Sequence, residues 1–139
     1  MDFAVRKTLK AFITDAIIMP HPTLPDTYNL TSNGYRKLNM VAAFLTPYFE
    51  SYWVVLNFFM KYTRKPVSET RNYLRKIQAL GSRMYKRKEI ERIEALSKIN
   101  YQNAVTFFTT HGIIEPENSK EQIDFYVDTF QRYRRYLPQ

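Results

Sequence analysis

The chain has 139 residues, 45 % of them hydrophobic and 16 % aromatic, enough apolar material for one domain to bury a core, which excludes global disorder. It contains no cysteine and two histidines, His21 and His111, far apart and without a second ligand at helical spacing. Disulfides, thiolate metal centres and a cysteine nucleophile are therefore excluded, and no metal or other cofactor is expected. Net charge is +8, and the twelve basic and four acidic residues (Glu69, Glu89, Glu91, Glu94) between Lys61 and Lys98 account for the whole surplus. Such a block favours phosphate, an anionic membrane surface, nucleic acid or an acidic protein, unless it is a solvated helix face.

In chain order, Val5, Leu9, Phe12 and Ile13 recur on one helical face while Arg6, Lys7 and Lys10 fall elsewhere, which predicts a short amphipathic helix. Nothing between Met1 and Lys10 has the apolar run of a signal peptide. Ile17-Ile18-Met19 and Tyr28-Asn29-Leu30 flank a loop with three prolines and predict a small β-hairpin. Thr31 or Ser32 then caps the next helix. Helix, strand, proline loop, strand and capped helix resemble the back half of a winged-helix domain. Only the first short helix is available to read DNA, so a structural or protein-contact use of this shape is preferred over nucleic-acid binding.

From Arg36 to Tyr62 the pattern is helical, with Leu45, Phe49, Tyr52, Trp53, Leu56, Phe59 and Met60 as a broad stripe and Pro47 expected to kink or divide the helix. Val41 to Met60 is long enough to span a membrane, but Thr46, Pro47, Glu50, Ser51 and Asn57 favour a buried core helix. The alternative is an interfacial helix carrying Tyr48, Tyr52 and Trp53.

Pro66 and Ser68 mark the start of a further helix. At helical period, Tyr73, Leu74, Ile77, Leu80 and Met84 share one side, and Arg71, Arg75, Lys76, Arg83, Lys86 and Arg87 take the opposite half. Lys88 would fall on the apolar side, so the helix should end or change phase there. Gly81, costly in mid-helix, implies something packed close to its backbone. Beyond the break, Ile90, Ile93 and Leu96 mark a short helical piece with Glu94 four residues before Lys98. Ser97 is a turn or cap before a helix from Tyr101 to Thr110, and Gly112 fits its C-terminal side. Ser119 and Gln122 form a capping box for a last helix bearing Ile123, Tyr126, Val127, Phe130 and Tyr133 on one face.

The segment GSRMYKRKEIERIEALSKINYQNAVTFFTTHGI, preceded by AAFLTPYFESYWVVLNFF, resembles the C-terminal region of the glycerol-3-phosphate and dihydroxyacetone-phosphate acyltransferase family. The matching positions are Tyr52, Gly81, Arg83, Glu94, Ala95, Leu96, Ser97, Asn103, Ala104 and Gly112. The resemblance reaches Ile114; the first forty residues are compatible with what precedes that region, and the tail after Glu115 lies outside it. It implies an enzyme that moves an acyl group from a thioester to the first hydroxyl of glycerol 3-phosphate. The catalytic domain lies on the N-terminal side and carries a His-x4-Asp motif and a Pro-Glu-Gly-centred phosphate motif. This chain has neither that second motif nor room for the domain.

His21-Pro-Thr-Leu-Pro-Asp26 does spell His-x4-Asp, but among prolines and without oxyanion donors an exposed loop histidine is the preferred reading, and no catalytic residue is assigned. The expected fold is mainly α: a helical bundle with a small N-terminal winged-helix-like β-hairpin. It forms one domain over 1–139, comprising a winged-helix-like start (1–40), a family-like helical core (41–114) and a C-terminal helix (115–139).

The expected function is a non-catalytic accessory domain of an acyltransferase of phospholipid biosynthesis. Its partners are the catalytic domain, in cis or trans, and an anionic membrane surface met by Arg75, Lys76, Arg83, Lys86 and Arg87. The expected placement is cytoplasmic, peripheral at the inner membrane face. The alternative is a winged-helix-like nucleic-acid-binding or protein-interaction domain using the same cations on phosphate.

Overall fold

A computed structural model describes residues 2–61, 70–113 and 119–137, with the side chains of residues 70 and 71 outside the description. The expected helix start at Pro66 and Ser68, and the side chain of Arg71, lie outside the described residues. The described elements are five α-helices, one two-stranded sheet and one 3-10 turn: α1 (Phe3–Thr14), β1 (Ile18–Pro20), β2 (Tyr28–Leu30), α2 (Ser32–Lys61), α3 (Thr70–Lys86), the 3-10 turn Ile93–Leu96, α4 (Lys98–Thr110) and α5 (Lys120–Arg134). The fold is mainly α with a small N-terminal antiparallel hairpin, as the periodicity and proline loop predict. Contacts divide it into two compact units, residues 1–44 and 45–137.

In the first unit β1 and β2 pair with Ile18 opposite Leu30, Met19 opposite Asn29 and Pro20 opposite Tyr28. Thr31 caps α2: its hydroxyl oxygen accepts from Gly34 N–H at 2.8 Å, and its proton is shared between the carbonyls of Ala16 and Ile17. A methyl on Gly34 would overlap the Ile17 carbonyl, so only glycine lets α2 start this close to β1. Helix α1 ends in a Schellman motif, with Ile17 N–H donating to Phe12 O at 2.8 Å and Ala16 in the left-handed region at φ 54°. Among the described residues of this unit, Ile17 is the sole buried hydrophobic.

The second unit has a real core. Val54, Val55, Leu56, Phe58 and Phe59 are buried on all sides of the C-terminal part of α2. Phe58 meets Tyr73 of α3 at 5.2 Å, Phe59 meets Phe108 of α4 at 6.0 Å, and Phe49 stacks on Phe130 of α5 at 4.6 Å. Full burial of each large side chain contributes about 1.5–3 kcal/mol. The predicted stripe is therefore corrected. Leu45 and Met60 are exposed, whereas Val54, Val55 and Phe58 belong to the core, because partners on several sides bury more than one helical face. Pro47 lies within α2 without dividing it; the packing that follows outweighs the one lost backbone donor. No helix among the described residues is long and apolar enough to cross a membrane.

Helix α3 buries Tyr73, Ile77, Leu80 and Met84. Gly81 faces Tyr101 of α4: a methyl there would overlap the phenolic oxygen, which is the close packing that a mid-helix glycine predicts. The helix ends as expected just before Lys88, which takes φ 59° in a second Schellman motif with Glu89 N–H on Met84 O at 2.9 Å. Gly112, at φ 99°, fills the equivalent place after α4, where Ile113 N–H reaches Phe108 O at 2.9 Å.

The connection from α3 to α4 is held by two neighbours on α2. Glu50 accepts through both carboxylate oxygens from the N–H groups of Glu91 and Arg92, each at 2.8 Å. The Ser51 hydroxyl, fully buried, lies 2.8 Å from both Pro47 O and Ala95 O. Here two predictions need correction. Ile93 is exposed, and the Glu94–Lys98 pair does not form, because Ser97 is extended (φ −74°, ψ 122°) and interrupts the helix that would align them. Ser97 instead caps α4, accepting from Asn100 N–H at 3.4 Å.

The Ser119 capping box is also not formed. Ser119 makes no side-chain cap and donates to Gly112 O at 3.1 Å, tying the start of α5 to the end of α4. On α5, Ile123 is buried and Tyr126, Val127 and Phe130 are half-buried, as predicted, whereas Tyr133 is exposed.

Candidate anionic-contact face

The cationic surface follows from the period of α3. With Tyr73, Ile77, Leu80 and Met84 facing the core, Arg75 and Lys86 fall opposite them and Lys76 and Arg83 at the flank, while Arg87 follows the last residue of α3 and lies near the angle of Leu80, not on the opposite half expected for it; all five are exposed. Arg87 approaches Glu89 at 3.9 Å with its side chain 70 % exposed, a contact too open to neutralise it. Among the described residues, the side chains of Arg75, Lys76, Arg83 and Lys86 make no ion pair or hydrogen bond. Arg83 and Lys86 also sit in the last turn, where cations complement the helix dipole. Arg134 of α5 donates to Glu89 O at 3.0 Å. The face is a set of hydrated point charges on a rigid rod. Such a set can attract phosphate.

The His-x4-Asp spelling forms no dyad. His21 Nδ1 accepts from the N–H groups of Thr23 at 3.2 Å and Leu24 at 3.1 Å, so the imidazole stabilises its own turn. Its backbone N–H pairs with Thr27 O at 2.7 Å, continuing the hairpin, and Asp26 occupies the left-handed region at φ 52° without a bond to His21. His111 Nδ1 donates to Phe107 O at 2.7 Å while its ring stacks on Phe107 at 4.2 Å. It borders a shallow depression lined by Glu121, Gln122, Phe125 and Tyr126, with no hydrogen bond to Glu121. Among the described residues no cluster of three metal-ligating side chains exists.

Most positions that carry the family resemblance do structural work. Gly81 admits Tyr101, Leu96 lies beside it, Ala95 and Ala104 are buried, Ser97 caps α4 and Gly112 ends it. Tyr52 packs between Phe107 at 5.6 Å and Phe108 at 5.9 Å. Arg83, Glu94 and Asn103 are exposed. Sequence reasoning missed two residues. Tyr101 is fully buried with an unpartnered hydroxyl, and burial pushes its phenol up to about 12. Glu50, read only as an obstacle to membrane insertion, is a backbone clamp. The glycine in α3 pointed to the first; nothing local pointed to the second.

No curated protein and no solved structure matches the chain. A family model does, and it extends the resemblance back through α1 and the hairpin. With residues 1–117 of its 139 matched, the chain belongs to the family described as the glycerol-3-phosphate acyltransferase C-terminal region.

Proposed function

We propose that the chain is a non-catalytic accessory region of a glycerol-3-phosphate acyltransferase of phospholipid biosynthesis, docked on the catalytic domain and presenting α3 to an anionic lipid surface. The observation that carries the second half is the set of five exposed cations on α3 and the turn that follows it, all but free of ion pairs. Basic residues near such a surface contribute about 1 kcal/mol each, screened within a Debye length.

Sedimentation with vesicles containing anionic lipid should therefore show weak, salt-sensitive binding, absent with neutral vesicles. Replacing Arg75, Lys76, Arg83, Lys86 and Arg87 with Gln should abolish it. Binding unchanged by those substitutions or by raised salt overturns the lipid role, and preferential binding to duplex DNA would favour the nucleic-acid reading. The same chain should not acylate glycerol 3-phosphate in a radiolabelled assay, and His21→Ala should leave the activity of an enzyme containing it unchanged. Turnover by the chain, lost in His21→Ala, would make the turn histidine catalytic.

A further inference from the structure

Where the end of α4 meets the start of α5, hydrogen-bonding capacity is left unused. His111 Nδ1 lies 2.7 Å from Phe107 O, an atom that only accepts, so the imidazole proton sits on Nδ1 and the uncharged ring keeps its lone pair on Nε2, at its other edge. Stacking on Phe107 at 4.2 Å holds the ring in that orientation. His111 shares a depression of about 230 Å³ with Glu121, Gln122, Phe125 and Tyr126. The Glu121 side chain, one turn before Phe125 on α5, makes no ion pair or hydrogen bond among the described residues. Nε2 and a carboxylate are both acceptors and cannot satisfy each other; a donor between them satisfies both.

We propose that this depression binds an arginine side chain of another protein, its guanidinium forked between Glu121 and His111 Nε2 and lying on the ring of Phe125. Acceptors, a negative charge and aromatic rings together call for a cation that carries N–H groups. His111 follows the last residue of α4, where the negative end of the helix dipole also favours a cation. The volume falls below the ~300–1,000 Å³ that takes a whole small molecule, so the site receives a single group. Phe125 is held against Tyr126 at 5.2 Å, and at 64 % exposure it stays open for stacking. A planar guanidinium stacks on such a ring and forks onto a carboxylate, whereas an ammonium is a point charge. A lipid ammonium fits less well, because it comes with a phosphate that Glu121 repels. Glu121, Phe125 and Tyr126 lie beyond the residues matched by the family model, and the site shares no residue with the cations of α3.

The test titrates the full chain with N-acetyl-arginine amide and follows the ring resonances of His111, Phe125 and Tyr126 by NMR. Saturable shifts at roughly millimolar concentration are expected for a single side chain. Glu121→Gln should weaken binding about tenfold, and Phe125→Leu, which keeps bulk and loses the ring, about threefold. Both residues are exposed, so the circular dichroism of the variants should match wild type.

Absence of shifts at these concentrations overturns the inference, as does full binding by Glu121→Gln. N-acetyl-lysine amide binding as tightly as the arginine compound would reduce the site to a point-charge contact. Phosphoethanolamine binding more tightly than either would assign it to a lipid headgroup. Each of these overturns the arginine assignment, and none bears on vesicle binding by α3.

Discussion

Residues 2–44 and 45–137 reach order by different means. Among the described residues of the second unit sixteen buried hydrophobic side chains interlock across α2, α3, α4, α5 and the turns between them, with aromatic rings of α2 in contact with each of the other three helices. In the first, main-chain and side-chain hydrogen bonds do most of the shaping: a three-residue ladder, a threonine cap and a histidine that accepts within its own turn. Hydrogen bonds of this kind are directional and specify shape, at about 0.5–1.5 kcal/mol net each, whereas burial supplies the bulk of stability. Shape and stability are thus separable in this chain.

That contrast is sharpest at two glycines. Gly81→Ala drives a methyl into Tyr101 inside a packed core and should cost about 2–3 kcal/mol, read as a lower midpoint of urea unfolding followed by Trp53 fluorescence. Gly34→Ala meets backbone in the other unit and should leave that transition within about 0.5 kcal/mol, while the amides of Gly34 and Tyr35 lose hydrogen-exchange protection. Equal shifts from the two substitutions would show one cooperative unit.

The next effect belongs to Tyr101. Its phenol is raised to about 12 by burial, so the folded state holds its proton more tightly than an unfolded chain near 10. The stability linked to that proton is intact below pH 10 and falls by about 1.4 kcal/mol per unit between pH 10 and 12. Tyr101→Phe should remove this slope relative to wild type. It should also gain about 1 kcal/mol at neutral pH, because the hydroxyl it deletes has no partner. A steeper slope in the variant would contradict the assignment.

The smallest effect compares two left-handed residues. Lys88→Gly relieves φ 59° at the end of α3 and should raise stability by about 0.5–1 kcal/mol. Ala16→Gly makes the same repair after α1 and should not move the Trp53 transition.

Much of this was legible in the sequence because it is local. Helix positions, the proline loop, the cap at Thr31, the end of α3 before Lys88 and the glycine after α4 are set by periods and by backbone rules that act within a few residues. What escaped depends on partners distant in the chain. Val54, Val55 and Phe58 joined the core because α3, α4 and α5 surround that turn; Ser119 left its capping box for Gly112 O; an extended Ser97 parted Glu94 from Lys98. The cationic face was legible as a pattern on α3, since exposure follows once the opposite stripe is buried. The exposure of Val41 and Phe44 was not: both fall in the span from Val41 to Met60 that reads as a buried core helix.

Glu50 has a consequence for the field around α3. A carboxylate in this part of the chain would ordinarily be counted against the nearby cations. Both of its oxygens instead accept from the main-chain amides of Glu91 and Arg92. With both oxygens taken up by the main chain, Glu50 forms no ion pair with the described cations of α3, and the carboxylate acts as a fastener for the α3–α4 connection instead of a counter-ion.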